Sequence, residues 1–446
     1  MRTSVLLAPG VALAAAATAL MPVPQSAAAS SAGCASGVRI RPEWNRPLQI
    51  GARLRADALV TSHETVAGYV ATLPRTAYAA ATVTASVGRT AHPTRALALL
   101  PSAVATSGDF FSNGYPFNAV ARAGGVVYAP TSSASGSPVV GSTTDGRFGA
   151  WNAHLAARLT LTHTTSTTRA GSSRATTTTS RAAVGVTVVA VNSRAVPARG
   201  VLALTGNWQP TDTGDLAAPA RFVLTATRLV ALGAGPLTTP AAGSTLLATR
   251  DGRAAQALTS AARATTARTD TVVRRASGRL TSSSTTTNLL RQRPPASSIR
   301  VAGFVSQTTT TSRPGLSLSL VADDGSRLRD VIGRGAVGVR DGDVVVGCGS
   351  PAAATYAPRS LIAWSPRSFF VVAIQEEDAR NIRGGVTLRE AAAYAAALGA
   401  TDAVFLDGGG STGLWTVLNH RTSRWDRPPY RPYERPLPNE LAFVAR

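Results

Sequence analysis

A helix, a short strand and a glycine run follow one another between residues 387 and 411, and this block constrains the fold more than any other. Thr387 with Glu390 three residues on forms a capping box, in which each side chain satisfies an otherwise orphan backbone N–H. Residues 388–398 are nearly all Ala, Leu and Tyr, and Gly399 supplies the stop. Thr401-Asp402 then turns the chain into an apolar strand, 403–406, which ends in Asp407-Gly408-Gly409-Gly410-Ser411. No other helix is specified as clearly. Strand signals recur at 65–73, 77–87, 315–321, 335–346 and 369–374, and 184–191 with 200–205 reads as a strand pair across Asn192-Ser193. The expectation is an α+β fold of mixed or antiparallel sheets with few helices, and with the 388–398 helix packed on a sheet. A doubly wound parallel sheet would contradict it.

The first residues are read as a targeting segment. Arg2 gives a positive start, an Ala- and Leu-rich run spans 5–20, Pro22 and Pro24 break it, and Ala27-Ala28-Ala29 offers a cleavage site. An uncleaved anchor is the alternative, although the run is short for a bilayer core of about 30 Å. A lipoprotein reading through Ser31-Ala32-Gly33-Cys34 is weaker, because the Cys lies far beyond the apolar run. The expectation is a signal peptide at 1–29, no transmembrane segment in the mature chain, and a secreted or cell-wall-associated protein. Outside the cytoplasm Cys34 and Cys348 could pair, or stand as two unrelated thiols.

Charge narrows the function classes. With 45 basic residues, all arginine, against 23 acidic ones, the net charge is +22. The arginines are dispersed and no nucleic-acid module is present, so nucleic-acid binding is not expected. An exported basic protein meets anionic wall polymers instead. Part of the arginine content also fits a GC-rich coding bias. The segment 250–300 is strongly basic, with a Thr/Ser run at 281–287, and reads as partly exposed.

A carboxylate at a strand end, followed by three glycines, is the strongest chemical signal. Asp407 would be held rigidly, and the backbone N–H groups of Gly408, Gly409 and Gly410 could face an anion. The plain alternative is a glycine turn with a capping Asp. Two other motifs mislead. Gly409-Gly410-Ser411-Thr412-Gly413 matches the G-x-S-x-G nucleophile elbow, but 414–418 reads as a strand and no histidine follows Asp426. Gly333-Arg334-Gly335-Ala336-Val337-Gly338 matches G-x-G-x-x-G, yet it leads into a strand rather than a helix.

These pieces, in order, resemble the phosphodiester glycosidase family, which includes the catalytic domain of N-acetylglucosamine-1-phosphodiester alpha-N-acetylglucosaminidase and bacterial exopolysaccharide-related homologues. Ser107-Gly108-Asp109-Phe110-Phe111 with Gly114-Tyr115-Pro116 is similar to its N-G-x-F-F motif. Val331-Ile332-Gly333-Arg334-Gly335 through Asp341-Gly342 resembles its I-G-G-G-P…V-R-D-G hairpin, and Pro358-Arg359-Ser360 its P-R-T segment. The block from Gly385 to Ser411 carries the family's most specific signature, and Glu434-Arg435-Pro436 with Asn439 looks like its closing R-P-x-x-N segment. Three departures bear on specificity: Ser107 where Asn is usual, Gln375 to Arg380 in place of a D-G-R turn, and Thr412-Gly413 in place of a Ser/Thr pair.

The resemblance implies a phosphodiester glycosidase domain over 100–446, preceded by a β-rich segment at 30–99. It implies hydrolysis of a sugar-1-phosphodiester, in cell-wall or exopolysaccharide glycans, with an anionic phosphodiester-linked glycan as partner. The leaving group is a phosphomonoester, so the usual pair of glycosidase carboxylates is not strictly required. Asp407, Asp109 and Arg359 are the implied catalytic residues. Gly408, Gly409, Gly410, Ser411, Arg435 and Asn439 are the implied substrate-binding ones. Arg359 and Arg435 suit bidentate clamps on phosphate. The residues do not divide roles between Asp109 and Asp407; no cofactor is specified, and a divalent cation held by one of the two carboxylates is compatible with them. The competing function is a non-catalytic binder of anionic wall polymers that keeps the fold, and convergence of Asp109, Arg359, Asp407 and Arg435 discriminates the two.

Overall fold

The computed structural model describes residues 37–131, 135–169, 176–209, 216–265, 268–273, 305–347, 351–375, 384–426 and 434–446. The expected signal peptide, both cysteines and the 281–287 run lie outside them. Among the described residues, strands predominate over helices, which agrees with the expected sheets and few helices in a largely β architecture.

Two sheets carry the site. The first has eight strands in the order Arg39–Pro47, Arg53–Val60, Thr65–Pro74, Ser368–Ile374, Arg359–Trp364, Asp402–Phe405, Val337–Arg340 and Asp343–Val344. Its pairings are all antiparallel. The second has five strands in the order Arg421–Arg424, Leu414–Leu418, Ser102–Ser107, Asn439–Ala445 and Tyr78–Thr84. Strands from residues 39–84 thus join both sheets beside strands from the C-terminal part.

The Leu388–Ala397 helix packs on the first sheet as expected. Its capping box is formed, with Thr387 accepting from the Glu390 N–H and the Glu390 carboxylate accepting from the Thr387 N–H. Alanines at 391, 392 and 395 let the helix lie close to the strands, and Tyr394 is fully buried among them. Gly68 leaves the space that the Tyr394 ring fills. The Tyr394 hydroxyl donates to Asp57 Oδ2 at 2.6 Å, an oxygen that Arg55 also reaches, so the buried phenol finds a partner.

An aromatic cluster joins the sheets. Phe148, from the long strand Phe148–Arg169 of another sheet, meets Trp364 and Phe369 of the first sheet and Phe443 of the second. Such ring pairs contribute roughly 0.5–1.5 kcal/mol each beyond area burial.

Two local expectations are corrected. Val188–Val191 and Val201–Leu204 do pair, but in parallel rather than as a hairpin. The basic stretch after 250 begins with a helix, Gly252–Ala264, capped by the Asp251 carboxylate on the N–H groups of Arg253 and Ala254. Leu258 and Ala261 seat it in the core, an apolar spacing that the surrounding arginines conceal in the sequence. No helix among the described residues is long and apolar enough to cross a membrane.

Candidate active site

The site forms where the strand Ser102–Ser107 ends beside the end of Asp402–Phe405. The Ser107 hydroxyl donates to the Asp407 carbonyl at 2.7 Å, and the Asp407 N–H donates to the Gly108 carbonyl at 3.0 Å. These two bonds lock the segments bearing Asp109 and Asp407 side by side. Ser107 therefore keeps a structural role at the position where the family usually has Asn.

Asp109 is sealed in, at 1% exposure. Its N–H donates to Asn439 Oδ1 at 2.8 Å, and its carboxyl oxygens accept from the Asn118 N–H at 2.6 Å and Asn118 Nδ2 at 2.9 Å. A side chain at Gly108 would overlap Asn439, and one at Gly333 would overlap the Asp109 carboxyl. Both glycines are there for close approach. Burial pushes the Asp109 carboxyl up to about 7. The Asn118 hydrogen bonds oppose that rise, and the nearby Asp407 charge adds to it. The Tyr128 phenol is pushed up to about 12, by burial first and then by the Asp109 and Tyr115 charges.

Asp407 is less enclosed, at 9% exposure. Burial raises its carboxyl, but hydrogen bonds from Ser411 and the Gly408 N–H and the Arg435 charge hold the rise down. Arg435 Nη1 donates to Ser411 Oγ at 3.0 Å, and the guanidinium lies over the Phe111 ring, 4.8 Å from its centre. Asp407, Ser411 and Arg435 thus form one polar chain that ends in a guanidinium stacked on an aromatic face. Arg435 also borders an open cavity of about 700 Å³ together with Phe111 and Tyr115.

The glycine run differs from the anion cradle expected of it. The Gly409 N–H donates to the Pro358 carbonyl at 2.9 Å. That donor is spent within the protein. The glycines answer to sterics instead: a side chain at Gly408 would press on the Pro358 carbonyl, and Gly409 takes a φ of 56°.

Arg359 is not brought to the carboxylates by its side chain. Its Nε donates to the Val386 carbonyl at 3.1 Å, and its Nη2 to the Thr355 carbonyl. Burial lowers its guanidinium to about 10, so it remains charged near neutrality. Its main chain pairs in the sheet directly behind Gly408. Asp109, Asp407, Ser411, Arg435 and Asn439 therefore converge, while the Arg359 side chain is held on the Val386 and Thr355 carbonyls.

The two misleading motifs resolve as the strand readings required. Ser411 is buried in the Asp407–Arg435 chain, and His420 sits on an exposed turn where Nδ1 contacts the Ala98 carbonyl at 3.1 Å. Gly333 ends the strand Leu328–Gly333, and Gly338 lies within Val337–Arg340. Among the described residues no group of three or more His, Cys, Asp or Glu is assembled to hold a metal ion.

Asn118 was not singled out from the sequence, although a signal existed. Asn113-Gly114 lies between Phe111–Ser112 and Tyr115–Pro116, and both turn residues take positive φ, 51° and 77°. That two-residue hairpin continues through Phe117 N–H to the Phe110 carbonyl, and so returns Asn118 to Asp109. The brace at Asp426 had no such signal. Its buried carboxylate accepts from Leu414 N–H, Gln375 and Arg424, while Arg424 also donates to the Thr412 carbonyl, fixing the exit of the glycine turn.

Residues 289–444 match the family model described as phosphodiester glycosidase. Among solved structures, a hypothetical protein from Synechocystis is similar with a TM-score of 0.51 and 17% identity, over 88% of this chain. The match spans 62% of that protein's length, and it shows a shared fold. The zebrafish N-acetylglucosamine-1-phosphodiester alpha-N-acetylglucosaminidase catalytic domain, auto-inhibited by its pro-peptide, is similar with a TM-score of 0.39 and 9% identity, over 92% of this chain and 83% of that one. No curated protein sequence matches this chain.

Proposed function

We propose that this chain, whose residues 289–444 are a phosphodiester glycosidase region, hydrolyses sugar-1-phosphodiester bonds in an anionic glycan outside the cytoplasm. The observation that carries the reading is the meeting of Asp109 and Asp407, from segments far apart in sequence, beside the Asp407–Ser411–Arg435 chain.

Two adjacent carboxyl groups in a buried site do not both ionise easily, and their surroundings separate them here. Asp109 is the more enclosed and holds its proton up to about pH 7. Asp407 is the more exposed, lies beside Arg435, and ionises first. In this reading the Asp407 carboxylate faces the anomeric carbon, where positive charge develops as the bond to the phosphate oxygen breaks. The electron pair leaves with the phosphate, and water adds to the carbon as its proton passes to the departing phosphate. Arg435 meets the charge that accumulates on the phosphate oxygens, already oriented by Ser411 and Phe111, so little reorganisation accompanies the step. Asp109 stands behind, and its proton keeps the site at one negative charge, which an anionic substrate tolerates better than two. Arg359 holds the Val386 and Thr355 carbonyls with its side chain, while its main chain lies behind Gly408.

The apolar N-terminal run followed by Ala27-Ala28-Ala29 supports export, and the net charge of +22 supports a cell-wall or exopolysaccharide substrate. The test is a screen of purified protein against defined sugar-1-phosphodiesters and teichoic-acid-like polymers. Release of free reducing sugar together with a phosphomonoester is the expected result. Polymer binding with no turnover of any member would sink the enzymatic reading and leave a binder that keeps the fold.

A further inference from the structure

We propose that the cavity beyond Arg435 is a subsite for a second anionic group of the substrate, one repeat past the scissile phosphate on its leaving-group side. This deepens the reading above and rests on it for the direction of the chain, but not for the binding itself.

Three arginines from separate segments, Arg89, Arg194 and Arg435, border this one cavity of about 700 Å³. Thr90, Asn113 and Tyr115 add polar groups to its wall, and no carboxylate is among the described lining residues. The nearest acid in sequence, Glu434, is already engaged: it accepts from the Thr94 N–H and hydroxyl and from Trp415 Nε1. Three guanidinium groups around one space repel one another, and an anion placed among them relieves that repulsion while accepting forked hydrogen bonds. A dispersed basic surface would instead leave its arginines interleaved with acids or pointing apart. The size also argues against a lone phosphate. Cavities of about 300–1,000 Å³ hold ligands of drug size, so this one has room for a sugar or glycerol unit as well as its phosphate.

The arginines stand on loops that the core holds still. Val87 exchanges backbone hydrogen bonds with Asn207 and Gln209 on either side of the fully buried Trp208, and Arg89 Nε donates to the Gln209 carbonyl at 3.0 Å. Gly114, at φ 77°, lies where any side chain would strike the Gly88–Arg89 backbone, so the Arg89 loop seats directly on the Phe111–Tyr115 hairpin. Arg194 follows Asn192, which is buried and donates to the Val127 carbonyl at 2.7 Å. Sites on supported loops keep their geometry. Arg435 falls within the stretch that matches the family model, whereas Arg89 and Arg194 precede it.

The test compares a synthetic glycerol-phosphate trimer with glycerophosphoglycerol, which has one phosphodiester, by calorimetry on the full chain at 0.15 M salt. Wild type is expected to bind the trimer at least 10-fold more tightly. The Arg89→Gln/Arg194→Gln variant is expected to lose that preference, and Arg228→Gln/Arg367→Gln, which removes the same charge from exposed positions elsewhere, to keep it. A preference that persists in the first variant, falls equally in the second, or is absent from wild type overturns the subsite. Arg194→Gln alone provides the same comparison should the double variant fold poorly. Binding as expected, with no sugar-1-phosphodiester of the screen above hydrolysed, would instead overturn the reaction and leave the subsite standing.

Discussion

The side-chain carbonyl of Asn439 accepts the backbone N–H of Asp109 at 2.8 Å, tying the last strand of the chain to a turn 330 residues earlier. Asn439 is 1% exposed, and Gly108 is the only kind of residue that lets the two backbones approach this closely. The bond fixes where Asp109 begins, and therefore where its carboxyl meets Asn118. We expect Asn439→Ala to destabilise the fold by about 1–3 kcal/mol, because a buried N–H loses its partner. Urea unfolding of the variant against wild type measures it, and Asn439→Asp, which keeps an acceptor, should lose less at low pH than Asn439→Ala.

The raised Asp109 carboxyl sets an alkaline limit. If its proton keeps the site at one negative charge, kcat/KM on a sugar-1-phosphodiester should fall as pH rises through about 7. Asp109→Asn mimics the protonated form, so we expect it to stay within about 10-fold of wild type at pH 6 and to lose the alkaline fall. A full pH–rate profile of both proteins decides this. An Asp109→Asn variant that is inactive at every pH would make Asp109 a direct proton donor instead.

How much of this was legible in the sequence depends on the range of the cause. The capping box at Thr387 and Glu390 is local, and the helix Leu388–Ala397 follows from it. The strand at Leu414–Leu418 and the rejection of the G-x-S-x-G elbow were likewise set by adjacent residues. The Asp109–Asp407 pairing was reached only through the family resemblance, because the bonds from Ser107 and to Gly108 join segments that local patterns cannot relate. The Arg359 clamp came from the resemblance joined to residue chemistry, and the glycine cradle from residue chemistry. Residue chemistry says that a guanidinium or an N–H can bind phosphate, not that Val386, Thr355 and Pro358 carbonyls already occupy it. The Gly252–Ala264 helix was missed because its buried face is narrow and small, Ala254, Leu258 and Ala261, amid basic residues.

Glu440 gives a separate test of stability. It is 1% exposed, neither carboxyl oxygen has a hydrogen-bond partner among the described residues, and burial first, then the Glu434 charge, hold its pKa well above the ordinary value. The folded state thus keeps a proton that the unfolded chain releases near pH 4. Its contribution is fully present below that pH and is lost as pH rises. Glu440→Gln removes this dependence, so its Tm relative to wild type should climb between about pH 4 and 8. Thermal melts of both proteins across that range measure the difference, and a gap that does not change with pH would mean that Glu440 is ionised in the fold.

The sharpest expectation concerns Asp407. It follows the buried strand Asp402–Phe405, its carboxylate is reached by Ser411 and the Gly408 N–H, and the Arg435 charge favours its ionised form. Asp407→Asn keeps the shape and most of the hydrogen-bonding capacity while removing the charge that would face the anomeric carbon. We expect kcat/KM to drop by about 10²-fold or more, on the order of 3 kcal/mol of transition-state stabilisation. Binding of a phosphodiester polymer should persist, because Arg435 keeps both its seat on Phe111 and the Ser411 hydroxyl. Measuring kcat/KM and polymer affinity on the same preparation separates the two effects. Wild-type turnover by Asp407→Asn would reduce this residue to the cap of a glycine turn and remove the carboxylate from the mechanism.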